Sequence, residues 1–281
     1  MKIAVMSDST AYITPEDREK YRIHMVPLSV TFQDDSYREE LDITTEEFYQ
    51  KLADSKELPR TSQPSVGEVT KKLEELAEDY DAVISIHLSS GISGTYQTMV
   101  SAGEMIEGID VYAYDSEISC MVQGFYALEA AAMAQDGKSV DAILARMDEM
   151  KKTVRAYFMV DDLTNLQRGG RLSNAQAILG SLLQIKPILH FENKLIVPFE
   201  KNSHEEKKAI SRILGLLEEE VAAGKNLRVV FIHGNDLPYA EKLETDFKEK
   251  HPEIETSISY FGPVIGTHLG QGAIGVAWYE K

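Results

Sequence analysis

The sequence is poor in cysteine and has no long apolar run, and each shortage excludes a class of protein. Its 281 residues include one cysteine, Cys120, which cannot form a disulfide within the chain and has no metal-cluster pattern near it. No apolar stretch approaches the roughly 20 residues that cross a bilayer. The opening MKIAVMSDST lacks the apolar length and cleavage pattern of a secretory signal, so we expect a cytoplasmic protein.

Basic residues are also few. The chain has 46 acidic against 29 basic residues, which gives a formal net charge of -17. The average surface field would therefore repel nucleic acid, and a nucleic-acid partner is not expected. The same charge also keeps an ordinary soluble protein dispersed. The 7 histidines show no ligand spacing, so the sequence predicts no metal site.

The order of apolar and amphipathic segments predicts an α/β protein. In the first half, short apolar runs alternate with helical patterns, which is typical of a largely parallel sheet flanked by helices. The predicted strands span residues 2–6, 24–30, 82–87 and 111–114. The predicted helices span residues 44–53, 65–79 with a capping box from Ser65 to Glu68, a third segment beginning at Ser93, a buried stretch at 127–134, and 141–152.

The sequence pattern changes near residue 155, where an exposed helical pattern is followed by a short apolar run and a glycine-arginine turn at 168–171. This change predicts two domains, 1–155 and 156–281. The second domain is expected to be α/β with a mixed or antiparallel sheet. Its predicted strands span residues 187–191 and 194–199, a hairpin around Glu192 and Asn193, followed by 228–232, 257–261 and 273–279. Its predicted helices span residues 173–185 and 204–222, with another after Pro238.

Three segments combine hydroxyl side chains with glycine or proline: residues 61–65 (TSQPS), 89–95 (SSGISGT) and 262–268 (GPVIGTH). The first two lead into predicted helix starts, whose backbone N–H groups and partial positive charge suit a carboxylate or phosphate. Ligands of parallel sheets also gather at the carboxyl ends of strands. The alternative for any single serine or threonine is a plain helix cap.

Two histidines near these segments are interpreted differently. His87 lies on an apolar strand and is interpreted as a core residue, whereas His268 lies in a glycine-rich loop and is the better candidate for anion contact. Residues 91–95 nearly match the nucleophile elbow G-x-S-x-G of hydrolases, but the last position is Thr95. That mismatch argues against a serine hydrolase.

Taken in order, these segments resemble the DegV family, the fatty-acid-binding subunits of bacterial fatty acid kinase. The resemblance runs nearly end to end and includes residues 7–10 (SDST), 115–116 (DS) and 168–173 (RGGRLS). It implies a lipid-binding protein without catalytic activity, built of two α/β domains with an acyl chain between them. It also implies which residues hold the fatty-acid carboxylate: Thr61, Ser62, Ser93, Gly94 and His268.

The resemblance further implies a partner, an ATP-dependent fatty acid kinase that converts the bound fatty acid to an acyl phosphate. Arg168, Arg171 and Lys201 form the candidate docking face for this kinase, and the alternative for the two arginines is that they cap carbonyls around the turn at Gly169 and Gly170. Glu205 and Glu206 stand where family members commonly carry a basic stretch, which weakens that cluster. The fatty acid is the expected ligand, no cofactor is expected, and transient membrane contact fits such a carrier.

The acyl tail needs apolar walls, and the residues proposed for them would serve equally well as ordinary core. These candidates are Ile178, Leu179, Leu182, Leu183, Ile185, Ile188 and Leu189. Two alternatives to the carrier are kept. One is an esterase or acyl transferase that uses Ser93 with His268, and the other is a binding protein for a different small anion, such as a phosphorylated metabolite.

Overall fold

The computed structural model describes residues 1–173, 187–200 and 206–281. Within these ranges the chain divides into two units, one of residues 1–44 with 61–152 and the other of residues 45–60 with 153–281. The predicted domains 1–155 and 156–281 stay a prediction. No helix within the described ranges has the length and apolar character required to span a membrane.

The first unit is built around a parallel sheet. Its strands are β1 (Ile3–Asp8), β2 (Ile23–Val26), β3 (Ser29–Phe32), β4 (Asp35–Arg38), β5 (Arg60–Ser62, of which Arg60 falls in the second unit), β6 (Ala82–His87) and β7 (Asp110–Asp115). Four of them form a wholly parallel sheet in the order β2-β1-β6-β7, and the other three form a small sheet in the order β4-β3-β5. The predicted strand at 24–30 is two strands in different sheets, with Pro27, which has no N–H to donate, at the break.

Helices flank the parallel sheet. They are α1 (Pro15–Tyr21), α3 (Val66–Ala77), α4 (Thr95–Gly103), α5 (Cys120–Gln135) and α6 (Val140–Thr153), with a 3-10 turn at Ser9–Ala11; α2 (Thr45–Asp54) belongs to the second unit. The predicted capping box is confirmed, since Ser65 and Glu68 bond each other's backbone N–H groups. The start predicted at Ser93 is two residues early, because Gly94 is the N-cap of α4.

The second unit contains a six-stranded mixed sheet in the order β10-β9-β8-β13-β11-β12. Its strands are β8 (Arg155–Met159), β9 (Ile188–Glu192), β10 (Leu195–Glu200), β11 (Leu227–His233), β12 (Glu255–Tyr260) and β13 (Ile274–Glu280). The pair β11 and β12 is parallel, whereas the other described pairings in this sheet are antiparallel. The predicted hairpin is present, but its turn lies at Asn193 and Lys194, both of which have positive φ.

The helices of the second unit, besides α2, are α7 (Thr164–Arg168), α8 (Glu206–Ala222), α9 (Leu237–Lys250) and α10 (Pro263–Leu269). The segment 262–268 was predicted as a loop, and this prediction is wrong. Pro263, with its fixed φ, starts a helix there. Gly266 lets this helix approach α2, because a Cβ at that position would come within 2.8 Å of the Tyr49 hydroxyl. The predicted helix at 173–185 lies almost wholly outside the described residues.

Candidate functional site

The carboxyl ends of β1 and β6 are joined by a buried carboxylate. Asp8 Oδ2 accepts hydrogen bonds from the Leu88 amide (2.9 Å) and the His87 ring (Nδ1, 3.1 Å), while Oδ1 accepts from the Thr10 hydroxyl (2.6 Å). Burial alone would raise the pKa of Asp8, but His87, Thr10 and the Leu88 amide together hold it below its ordinary value. Asp8 thereby fixes the backbone that leads into the loop after β6.

His87 is 0% exposed and also contacts Ser85, with 2.7 Å between Nε2 and the Ser85 hydroxyl. Ser85, His87 and Asp8 thus resemble a catalytic triad in their order of contacts, yet all three are buried, so a substrate cannot reach the serine. The interpretation of His87 as a core histidine is confirmed. Within the described ranges, no group of three His, Cys, Asp or Glu side chains is arranged to hold a metal ion.

The loop from Ser89 to Gly94 is fastened at its other side by Asp115 at the end of β7. The Ser90 hydroxyl and amide donate to the two carboxylate oxygens of Asp115, at 2.5 and 3.0 Å. The Ser93 amide donates to the Ser89 carbonyl (3.2 Å), which continues the turn towards α4. The loop before α4 is therefore held by carboxylates from β1 and β7, the two strands that flank β6.

Ser93 lies half-buried just before α4. Its hydroxyl oxygen is 2.8 Å from the Thr95 hydroxyl and accepts from the Thr95 amide at 3.3 Å. These two contacts form a local turn of the kind that a helix cap makes. Ser93 therefore acts in part as a cap, as the alternative interpretation predicts. When the Thr95 hydroxyl is the donor of the 2.8 Å bond, Ser93 keeps its own O–H hydrogen to donate to a ligand oxygen.

The segment 61–65 reaches the start of α4 within the first unit. Thr61 is half-buried and Ser62 is exposed, both on β5. The Gln63 side chain donates from Nε2 to the Thr98 hydroxyl at 2.6 Å, and a Cβ added at Gly94 would overlap the Gln63 carboxamide oxygen. The structure therefore brings the segment carrying Thr61 and Ser62 together with the one carrying Ser93 and Gly94. Sequence reasoning missed Gln63, although it lies inside a segment that was singled out.

His268 lies on α10 in the second unit, half-buried beside the turn that follows α7. A Cβ added at Gly169 would overlap its imidazole ring. Burial first, and the Arg171 charge second, lower the pKa of His268 to about 4, so the ring is neutral near pH 7. A neutral imidazole beside a guanidinium provides hydrogen-bonding and positive charge in one place, which suits an anion.

The three candidate docking residues have different surroundings. Arg168 is exposed at the end of α7. Arg171 is half-buried, donates to the Gly169 carbonyl at 2.6 Å and lies near His268. Lys201 lies outside the described residues, as do Glu205 and five of the candidate acyl-wall residues, from Ile178 to Ile185. The other two wall candidates, Ile188 and Leu189, are buried on β9, and Ile188 belongs to the core of the second unit.

The fold and these loops define an α/β protein with a parallel sheet in one unit, a mixed sheet in the other, and hydroxyl-bearing segments gathered at strand ends and a helix start. The family model described as "Uncharacterised protein, DegV family" matches residues 2–281. The chain belongs to the DegV family, which confirms the resemblance and the predicted fold class.

The relatives are similar over their whole length. Protein DegV of Bacillus subtilis is 56% identical over 282 residues, with 100% of both chains covered. The crystal structure of DegV from Bacillus subtilis, described as a fatty acid binding protein, has a TM-score of 0.95 at 56% identity and 100% coverage of both chains. The fatty acid binding DegV family protein of Streptococcus agalactiae has a TM-score of 0.92 at 32% identity, covering 100% of this chain and 99% of that chain.

Proposed function

We propose that the protein binds one long-chain fatty acid by its carboxylate and presents it, without chemistry of its own, to a separate ATP-dependent kinase that forms the acyl phosphate. One observation carries this proposal. At the start of α4, the contacts of Gln63 place the segment that contains Thr61 next to the segment that contains Ser93 and Gly94. Two similar proteins of solved structure are described as fatty acid binding, which supports the same ligand here.

The proposed carboxylate partners are the hydroxyls of Thr61, Ser62 and Ser93, the Gly94 amide and His268. Transfer of a carboxylate from water is costly unless charged or polar donors replace its hydration. Hydroxyls at a helix start, where the backbone carries a partial positive charge, supply such donors. Burial of a 16-carbon tail at about 0.8 kcal/mol per CH₂ contributes on the order of 10 kcal/mol before ordering costs, which is enough to retain the ligand.

The kinase is the part of the proposal that goes beyond the fatty-acid ligand. A carrier that hides its acyl chain and keeps the carboxylate near polar loops leaves the reacting group for another protein. Arg168 is exposed and its charge contrasts with the net charge of -17 over the chain, so it is retained as a proposed docking residue. Lys201 remains a docking residue proposed from the sequence. For Arg171 we propose two roles, one in docking and one beside His268 at the carboxylate site.

The decisive experiment is denaturing extraction of the purified protein followed by mass spectrometry of the extract. We expect about one fatty acid per chain, and Thr61→Ala or Ser93→Ala should weaken fatty-acid binding by roughly 1 to 3 kcal/mol. Ser65→Ala is the matched control, since it removes a cap worth about 1 kcal/mol of stability but no proposed ligand.

Other outcomes would replace the proposal. A phosphorylated metabolite in the extract, with no uptake of added fatty acid, would identify a carrier of a different anion. Turnover of a chromogenic ester that Ser93→Ala abolishes would identify an esterase. The mismatch with the nucleophile elbow, where Thr95 stands in place of the final glycine, argues against the latter.

A further inference from the structure

Gln63 forms a bridge across the first turn of α4. Its Nε2 donates to the hydroxyl of Thr98, a residue only 5% exposed, and its carboxamide carbon and nitrogen lie 3.0 and 3.2 Å from where a Cβ of Gly94 would stand. Gly94 and Thr98 are successive along the same helix face, since the Thr98 amide donates to the Gly94 carbonyl at 2.9 Å. The carboxamide therefore lies over the helix start and is anchored one turn further along.

This contact depends on the residue type at both ends. A Cβ at position 94 would occupy the space that the Gln63 carboxamide fills and would displace this flexible end of the side chain, so glycine preserves the contact through close approach and not through backbone φ, which is -82°. At position 63, a side chain long enough to reach Thr98 and able to donate a hydrogen bond is required. The two residues thus form a pair whose effects on the site should not add independently.

The contacts of Gln63 set the distance between two groups of proposed carboxylate donors. Thr61 and Ser62 are on the strand that ends just before Gln63, whereas Ser93 and Gly94 precede α4. The bridge fixes one group against the other before any ligand arrives. Donors held in place in this way bind a carboxylate with a smaller ordering cost, and a neutral head group gains less from them than a charged one does.

We propose that Gln63 is a positioning residue that makes the site selective for a carboxylate over a neutral lipid head group of the same chain length. This inference rests on the proposed function. It goes beyond it by assigning selectivity for the charged head group to a residue that is not itself among the proposed carboxylate partners.

The test compares binding of palmitate with binding of 1-hexadecanol, which has the same chain length and no carboxylate. Lipid-free wild type, Gln63→Ala, Gly94→Ala and the double variant are titrated with both lipids, and Gln97→Ala serves as the control because it removes an exposed glutamine from the same helix. Gln63→Ala should weaken palmitate binding about tenfold, because the hydroxyl donors of the carboxylate would no longer be held in place, and should change hexadecanol binding less than twofold.

The double variant supplies the second readout. If the bridge acts through Gly94, Gly94→Ala should also weaken palmitate binding, and adding Gln63→Ala to it should cause less than a twofold further loss. Gln63→Met keeps a chain of similar length over Gly94 without the donor, and should fall between wild type and Gln63→Ala.

Three results would overturn the inference: equal losses for both lipids, losses that multiply in the double variant, or a Gln63→Ala protein that behaves like Gln97→Ala. Melting temperatures of the lipid-free variants show whether a loss reflects unfolding, and in that case Gln63→Met decides the question. Wild-type protein that bound no palmitate would instead overturn the proposed function, together with this inference.

Discussion

The backbone of Gly169 lies directly against the imidazole ring of His268, so that a Cβ at position 169 would overlap the ring. The next residue, Gly170, has a φ of +70° and ends α7 in the manner of helix-terminating glycines. The two glycines of the segment RGGR therefore serve different purposes. The first provides space for a proposed ligand of the carboxylate, and the second provides a backbone conformation.

The first prediction separates these purposes. Gly169→Ala should push His268 out of place, destabilise the protein by about 1 to 3 kcal/mol, and weaken fatty-acid binding as well. Gly170→Ala should cost about 1 kcal/mol through its positive φ, with a smaller effect on binding. Gly215→Ala on α8, which has open space around it, should instead raise stability by about 0.5 to 1 kcal/mol. Chemical unfolding and fatty-acid titration of the three variants would test this, and equal binding losses in the first two would contradict it.

The second prediction concerns pH. Burial and Arg171 lower the pKa of His268 from 6.5 to about 4, so the folded protein binds fewer protons than the unfolded chain between these values. Lipid-free protein should therefore lose stability as the pH falls from about 6.5 to about 4, by on the order of 3 kcal/mol at most from this group. The free energy of unfolding, measured across this range, should depend less on pH in His268→Gln.

Arg171→Ala is the control for the contribution of the arginine charge to the low pKa of His268. Removal of the cation should raise the pKa of His268 while burial still holds it below 6.5, so the loss of stability should be smaller than in wild type. Identical pH profiles for wild type and His268→Gln would show that the ring does not remain buried and neutral.

Some features of this site follow from local sequence and others do not. The Ser65 capping box was predictable, because it depends on two residues three positions apart. The helix at 263–269 was not, since its glycines and proline suggest a loop until the contact of Gly266 with α2 is known.

Two contacts at the candidate site could not be predicted from the sequence, because their partners lie far apart along the chain. Gln63 meets Thr98 across 35 residues, and no periodic pattern marks that pair. His268 meets Gly169 across a still longer separation. In both cases the motif could be recognised from the sequence, but the reason for its glycine became clear only from the side chain that packs upon it.

The third prediction concerns Asp8, which holds the loop that leads to Ser93. Its buried carboxylate accepts from His87 and from the Leu88 amide, so Asp8→Ala should leave buried donors without an acceptor and cost about 3 to 5 kcal/mol. Because its folded pKa is depressed, this stabilisation is present above the ordinary value of 3.8 and is lost as the pH falls through the lower folded value. The exposed Asp34→Ala should change stability by no more than about 0.5 kcal/mol.

Unfolding by urea at neutral and acid pH would measure both effects. Asp8→Asn keeps the shape and one acceptor oxygen, so its loss should be smaller than that of Asp8→Ala. If Asp8→Ala were no less stable than Asp34→Ala, the polar cluster at the ends of β1 and β6 would have no part in holding the loop.

The last prediction concerns the proposed kinase and rests on the different surroundings of two arginines. Arg168 is exposed, whereas Arg171 is half-buried, donates to the Gly169 carbonyl and lies near His268. A rim charge mainly affects the rate of association with a partner, while a charge beside a ligand affects the ligand itself. Arg168→Ala and Lys201→Ala should therefore slow ATP-dependent acyl-phosphate formation by the host's own kinase at matched lipid loading, and reduce its salt dependence.

Arg171→Ala should already lower fatty-acid loading, before any kinase is added. The exposed Lys138→Ala, in the other unit, is the control for loss of a positive charge. If Arg168→Ala matched Lys138→Ala in rate and salt dependence, the kinase would have to dock on a surface that does not include α7.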